Sequence, residues 1–353
     1  MPIPTHVKFR QKTKRFFDDF LRKLSNPSST TKIPKEEVKR ILVIRINYRI
    51  GNMLFTTPMV QQLQCEFPDA KIDVIVGAPF TKVLFSGFKN VENIYDFSRE
   101  LLKQPLKMFS YIRELRQNDY DVVININGGS TSDRIATMLA KAKYKVAFCS
   151  EHNYTPANIC VKREDMHINH EALIPIELMK VFDVTPDYDL KMNIALSEQE
   201  LQEGKKELQK LLADKKSNRV VAIFRNARHD KLIEDSWWQE FVLKLQEYDK
   251  EIVFVDILSP DIPHKLQDDM VEYSNKNLRK LAAFMANLDA FICADTGPMH
   301  LASASGVPTI ALFKITLPLL YGTLKETDLS LVMKEKSVDD VAKEVFGHIQ
   351  KIS

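Results

Sequence analysis

The feature that most constrains this chain is a rhythm that runs through it twice. Short apolar, β-branched runs alternate with stretches of helical periodicity. ILVIRI (41–46), KIDVIVG (71–77), NIYDF (93–97), YDVVININ (120–127) and KVAF (145–148) read as strands. Helical stretches fall at about 52–67, 100–117 and 132–142. The pattern restarts with a charged helix over 197–215, then RVVAIF (219–224), EIVFVDI (251–257), DAFICA (289–294) and PTIALF (308–313). Helices are expected near 236–247, 277–287, from Thr296, and 337–351. These runs are apolar throughout rather than alternating, so both faces of each strand must be covered, which predicts parallel sheets with helices on both sides. Two α/β halves joined near 185–200 follow, and 353 residues suffice for two domains.

Composition agrees and narrows the function classes. Hydrophobic residues make up 44% and charged residues 27%, so a packed core is available and wholesale disorder is excluded. The net charge of +3 is too small to argue for nucleic acid, and it is unevenly placed. Residues 1–40 hold eleven Lys/Arg and four Asp/Glu, a balance of +7, which leaves −4 for the body. Within that leader, residues 8–24 set Phe16, Phe17, Phe20, Leu21 and Leu24 on one helical face, and SNPSSTTKIP follows as a linker. Two readings stay open: a helix packed on the body with its lysines snorkelling, or a peripheral anchor on an anionic membrane surface. No stretch reaches eighteen uncharged apolar residues, and the N-terminus lacks a signal-peptide pattern, so a cytoplasmic location is expected. The four cysteines (Cys65, Cys149, Cys160, Cys293) form no C-x-x-C pair, which points to reduced, mostly buried thiols and no thiolate metal site.

The sharpest chemical signal is ADTGPMHLASASGVPTIALF, residues 294–313. It sets a strand end, a carboxylate, Thr-Gly and a helix in immediate succession. The unpaired N–H groups of a first helical turn, with the helix dipole, favour a phosphate there. Gly297 allows close approach to the backbone, Thr296 adds a hydroxyl, and Asp295 stands at the carboxyl end of a strand, where α/β ligands bind. His300 lies one turn along the same helix. The bland alternative makes Asp295 or Thr296 an N-cap and His300 a satisfied helix histidine. Neither G-x-G-x-x-G nor G-x-x-x-x-G-K-[ST] occurs, so dehydrogenase and P-loop readings lose their main support.

This block closely resembles the donor-binding motif of the lipopolysaccharide heptosyltransferases, glycosyltransferase family 9. ILVIRINYRIGNMLFTTPMVQQLQCEFPDAKIDVIVG resembles the family's opening strand, glycine loop, helix and second strand. DYDVVININGGSTSDRIATMLAKAKYKVAF looks like its next strand-helix-strand stretch, and His170-Glu171 resembles the His-Glu pair before the domain crossover. The resemblance spans roughly residues 40–325. It implies a GT-B fold: two Rossmann-like domains with parallel sheets facing a central cleft. The expected organisation is a basic leader and linker (1–39), an acceptor-binding domain (40–190) and a nucleotide-sugar-binding domain (191–353). It further implies an inverting transfer of heptose from an ADP-activated donor to a sugar of the lipopolysaccharide core. No metal and no cofactor are needed, the nucleotide sugar being a substrate. A hexose or N-acetylhexosamine donor, or a homologue that binds without catalysis, is the alternative.

Residue roles follow from the same resemblance. Lys231, in FRNARHDKLIEDSWW (224–238), matches the family's phosphate-facing lysine, with Arg228 the weaker candidate. A cation there would stabilise charge growing on the departing diphosphate. The alternative is a solvated basic loop. Thr296, Gly297 and His300 would complete the diphosphate and sugar cradle, and Asp295 would hold sugar hydroxyls. Asp256 and Ser259 are two candidates for a ribose contact. One departure stands out: the family's loop ends in Gly-Asp, the aspartate being its expected general base, whereas here the pair is Gly51-Asn52. An amide cannot accept that proton at neutral pH, although it can position a hydroxyl. His170, Glu171 or another acid could then supply the base, or Asn52 could simply cap a helix. Arg49 in this loop is a candidate for an anionic acceptor, or else a surface arginine.

Overall fold

The computed structural model describes residues 32–352 apart from 128–129, 150–155, 164–167, 214 and 216–218. The basic leader lies outside the described residues, save its last few positions. The chain divides into two compact units. The N-terminal unit runs to Tyr48 and adds Pro58–Ile168 and Leu173–Leu190. The C-terminal unit comprises Lys191 onward together with two excursions, Arg49–Thr57 and Asn169–Ala172.

The N-terminal unit carries a six-stranded sheet of β1 (Arg40–Ile44), β2 (Lys71–Val76), β3 (Val91–Asp96), β4 (Tyr120–Asn125), β5 (Ala142–Cys149) and β6 (Ile159–Lys162), in the order β3-β2-β1-β4-β5-β6. The C-terminal unit repeats the plan with β7 (Arg219–Phe224), β8 (Ile252–Ile257), β9 (Val271–Tyr273), β10 (Ala290–Ala294), β11 (Thr309–Phe313) and β12 (Leu329–Val332), ordered β12-β11-β10-β7-β8-β9. Counted from the first strand of each unit, the two orders are the same doubly wound order. Every ladder is parallel. The order reverses between β1 and β4, and again between β7 and β10, which creates a crevice at the carboxyl ends of those pairs.

Burial explains why these runs form strands. All five residues of β10 and of β11 are buried, as are four of the five in β1. In the C-terminal unit Val221, Ile223 and Ile292 pack with Trp238, Phe241 and Leu245 of the helix Asp235–Tyr248 and with Val341 and Val345 of the helix Val338–Ile352. In the N-terminal unit Leu42, Ile44 and Val123 pack with Tyr111 and Leu115 of the helix Pro105–Gln117. Burying one such aliphatic or aromatic side chain is worth roughly 1.5–3 kcal/mol.

The differences from expectation have physical causes. β6, β9 and β12 were not anticipated; they are three- and four-residue edge strands whose exposed positions break the apolar run. The helix expected over 100–117 is two, Arg99–Leu102 and Pro105–Gln117, because proline cannot continue a helix but starts one well. The helix expected over 132–142 is Thr131–Leu139, and β5 begins at Ala142. The helix expected over 52–67 is Ile50–Leu54 followed by Thr57–Glu66.

Reduced, mostly buried thiols also need correction. Cys149 at the end of β5 and Cys160 in the neighbouring β6 form a disulfide with a Cα–Cα distance of 5.4 Å. Pairing β5 with β6 brings together two thiols eleven residues apart, which no C-x-x-C rule detects. Cys65 is free and exposed, and Cys293 is free and buried.

Candidate active site

The C-terminal unit places its polar chemistry at the switch point between β7 and β10. Asp295 follows directly on β10, and the helix Gly297–Ser305 starts two residues later with Thr296 as its N-cap residue. Thr296 occupies the cap without capping: its side chain makes no cap hydrogen bond, and its Oγ1 is buried with no hydrogen-bond partner among the described residues. The hydroxyl therefore does not serve the role that the bland reading assigned to it. Pro298 lacks an N–H, so the open donors of the first turn are those of Gly297 and Met299.

His300, 4% exposed, lies one turn along. Its Nδ1 is buried and has no hydrogen-bond partner among the described residues, and its ring meets Phe55 edge-on at 4.7 Å between centroids. Burial, the dominant cause, lowers its pKa to about 3, so the imidazole is neutral at physiological pH. A buried polar side-chain atom with no partner is costly and uncommon. Two of them, on Thr296 and His300, share the first turn of one helix.

Asp295 is buried and Lys231 is one-third exposed. Lys231 Nζ donates to Asp295 Oδ2 at 2.5 Å, and Thr316 Oγ1 donates to the same oxygen. Oδ1 accepts no hydrogen bond among the described residues. The carboxylate is thus anchored through one oxygen and presents the other. Lys231 ends the 3-10 turn His229–Lys231, which His229 enters with φ of 52°. Arg228 sits just before that turn, exposed and without a partner among the described residues.

The segment Arg49–Thr57 packs on this helix within the same unit. A Cβ at Gly51 would lie 2.5 Å from His300 Cδ2, and one at Gly297 would lie 3.2 Å from Ile50 Cβ and 3.5 Å from Gly51 N. The close approach to Gly297 that its sequence context suggested is thus made by the chain itself. Asn52 is half-buried inside the short helix Ile50–Leu54, whose N-cap residue is Arg49, so the capping role considered for Asn52 does not hold.

His170 is equally committed. Its Nε2 pairs with Gly322 O at 3.0 Å, and its Nδ1 accepts from Ala172 N at 3.2 Å. These bonds assign the proton to Nε2, and burial lowers the pKa of the ring. With its only lone pair in use, His170 is not free to take a proton. The adjoining Glu171 donates its backbone N–H to Leu320 O at 3.0 Å.

The description "Glycosyltransferase family 9 (heptosyltransferase)" matches residues 108–348. The chain belongs to that family. Among curated relatives, lipopolysaccharide heptosyltransferase 1 of Campylobacter coli is 23% identical over 301 residues, covering 78% of this chain and 84% of the relative. Among solved structures, a glycosyl transferase family 9 protein from Veillonella parvula superposes with a TM-score of 0.75 at 16% identity, covering 92% of this chain and 98% of that one. E. coli heptosyltransferase WaaC, solved with ADP, gives 0.71 at 20% identity over 89% of this chain and 100% of its own. The two six-stranded parallel sheets are those of the GT-B fold.

As a family 9 glycosyltransferase, the chain carries features at this site that its sequence did not announce. Arg225, 2% exposed, follows β7 and donates to Asp256 Oδ2 from Nε at 3.1 Å and from Nη2 at 2.9 Å, to Asp235 Oδ1 at 2.6 Å, and to His264 O at 2.6 Å. Asp256 also accepts from Leu266 N, again through Oδ2, so the fold holds it by one oxygen while Oδ1 accepts no hydrogen bond among the described residues. Ser259 instead accepts from Asn226 Nδ2 at 2.9 Å, and the same amide donates to the exposed Asp261 at 3.1 Å. Asp261 is the open carboxylate after β8. Thr316, the second donor to Asp295 after Lys231, stands in a loop with no motif to mark it.

Proposed function

We propose that this family 9 glycosyltransferase transfers a heptose, with inversion, from an ADP-activated donor to a sugar of the lipopolysaccharide core. The observation that carries the reading is the first turn of the helix Gly297–Ser305. It combines open N–H groups, a buried unpaired Thr296 hydroxyl, a buried unpaired His300 nitrogen and the Lys231–Asp295 pair. That set suits a diphosphate with a sugar attached: N–H donors and Lys231 for the phosphates, a neutral imidazole and Asp295 Oδ1 for hydroxyls. WaaC, a structural relative, has also been solved with ADP-2-deoxy-2-fluoro heptose.

In this reading the C-terminal domain, from about residue 191, holds the donor. Lys231, assisted by Arg228, offsets the charge that grows on the leaving diphosphate, so the protein's own cations do the work and neither metal nor cofactor is required. Arg49 and Gly51 belong to the acceptor side, as does Asn52, which orients the acceptor hydroxyl without deprotonating it. With His170 committed to Gly322 and Ala172, the base in this reading is Glu171 or another acid of the site. The acceptor is lipid-borne, which places the enzyme in the cytoplasm against the inner face of the inner membrane, with the basic leader as one anchor. No helix among the described residues is long and apolar enough to cross a membrane.

The test is sugar addition to truncated lipopolysaccharides from ADP-heptose, beside a family control. Extension that is lost in Lys231→Ala supports the reading, and no extension of any acceptor defeats it. Competition among ADP-heptose, hexose and N-acetylhexosamine nucleotides separates the donors. Asn52 favours one second reading, a homologue that binds without turning over. In that case donor and acceptor bind, Glu171→Gln changes nothing, and Asn52→Asp creates activity where none existed.

A further inference from the structure

The helix Pro105–Gln117 of the N-terminal unit has one face in the core and one that is unusual for a protein surface. Tyr111 and Leu115 are buried in the core beneath it. On the opposite side Leu106 is 88% exposed and Phe109 71% exposed. Arg113 follows at the spacing that puts 106, 109 and 113 on one stripe, with Lys107 at its border. Arg113 and Lys107 are exposed and have no hydrogen bond or ion pair among the described residues. The turn Pro79–Leu84 leaves the carboxyl end of β2, next to β3, whose carboxyl end leads into this helix. That turn adds Phe80, 49% exposed, and Lys82, which pairs with Asp96 at 3.5 Å. The remaining exposed apolar group of note, Ile315, Leu317 and Leu319, flanks Thr316 and belongs to the site already described.

We propose that this outer edge of the N-terminal sheet docks on an anionic phospholipid surface. Leu106, Phe109 and Phe80 enter the headgroup boundary, while Lys107 and Arg113 meet the phosphates. Bare aromatic and aliphatic side chains alone would fit many partners. Arg113 on the stripe and Lys107 at its border outnumber the exposed Glu114 on the same helix, and cations set among apolar groups select a negatively charged, apolar-backed surface, which a bilayer interface offers. The inference deepens the functional reading, since it rests on a lipid-borne acceptor, and it assigns the contact to the folded N-terminal unit rather than to the leader alone.

Sedimentation of the full chain with vesicles tests it, comparing phosphatidylcholine alone with phosphatidylcholine containing phosphatidylglycerol. The expected result is binding to the anionic vesicles that weakens in high salt. Leu106→Ser/Phe109→Ser should lower the partition coefficient at least about fivefold and Arg113→Gln about two- to threefold, with circular-dichroism melting unchanged because these side chains are exposed. Three results overturn it: no binding by the wild-type chain, equal binding to both vesicle types, or an unchanged partition in the double variant. A dimer in solution that the same double substitution dissolves also overturns it, because the stripe would then be covered by a second copy. Sugar transfer to a detergent-dispersed acceptor, measured in parallel, keeps the two ideas separate. Its absence with vesicle binding intact counts against the transferase reading only.

Discussion

The two units share one strand order, yet the carboxyl ends of their central strands are finished in opposite ways. In the N-terminal unit, the acid at the switch point is Asp133, fully buried in the helix Thr131–Leu139. It accepts from Ile46 N at 2.6 Å and from Asn127 Nδ2 at 3.1 Å, so both oxygens are occupied by the fold. In the C-terminal unit the corresponding acid, Asp295, keeps one oxygen open beside a hydroxyl and an imidazole nitrogen that have no partner among the described residues. Topology makes a crevice at each switch point; the polar groups left unsatisfied decide which of them can hold a ligand on its own.

The contrast extends to pH. His300 is held neutral, its pKa falling from 6.5 to about 3 through burial. A depressed histidine pKa contributes stability above the unfolded value that is lost as pH falls below 6.5 toward 3. Over that whole window the loss is about 4–5 kcal/mol, and about 3 kcal/mol of it is gone by roughly pH 4.5. Both tryptophans, Trp237 and Trp238, lie in the C-terminal unit, so their fluorescence follows this unit selectively. Acid melts should shift their transition downward, and His300→Gln should flatten the dependence. A slope unchanged by that substitution would remove His300 as its source.

Lys231→Ala should come next in size. Losing one preorganised donor to a developing anion costs about 10²–10³ in turnover, roughly 3–4 kcal/mol. The loss should appear in kcat, with Lys231→Arg recovering part of it. A change confined to KM would mean that the lysine serves ground-state binding only.

Asp133 should give the opposite pH response. Burial raises its pKa from 3.8 to about 6, against the hydrogen bonds it accepts. A raised carboxyl pKa favours the fold below the unfolded value, and that advantage is lost as pH climbs from about 4 to about 6, costing about 3 kcal/mol. Hydrogen exchange in β1, corrected for intrinsic rate, should report weaker protection at pH 7 than at pH 5. Asp133→Asn should abolish the difference. Equal protection at both values would show that Asp133 is accommodated as a full charge.

Gly51→Ala should be the smallest effect, about 1–3 kcal/mol, because its methyl would lie 2.5 Å from His300 Cδ2 and force the ring to shift. Donor affinity should fall together with stability. A variant of wild-type stability that still binds ADP normally would separate Gly51 from the imidazole it faces.

Much of the fold could be read from the chain in order. β10 is an unbroken apolar run, and β1, β7 and β11 are apolar after their first residue; a run buried on both faces leaves one architecture open to it. Asp295, Thr296, Gly297 and His300 are legible for a related reason: a strand end and a helix start are local events, and six consecutive residues span them. Arg225 was hidden because its partners, Asp235, Asp256 and the His264 carbonyl, come from three separate stretches. Asn52 was misplaced as a cap because the helix begins two residues earlier, at Ile50.

Local order along the chain is set by side-chain shape and by the cost of leaving backbone groups unpaired, so strands, helix starts and the phosphate-seeking turn are written in short windows. Pairing between distant segments is set by which surfaces meet once those elements pack. Only there do Cys149 and Cys160 become neighbours, Gly51 become the seat of His300, Asp256 become the partner of Arg225, and Asp295 stay half open while Asp133 is closed. Close packing tolerates no spare volume and few unpaired polar atoms. Those left unpaired after folding can be found only in three dimensions.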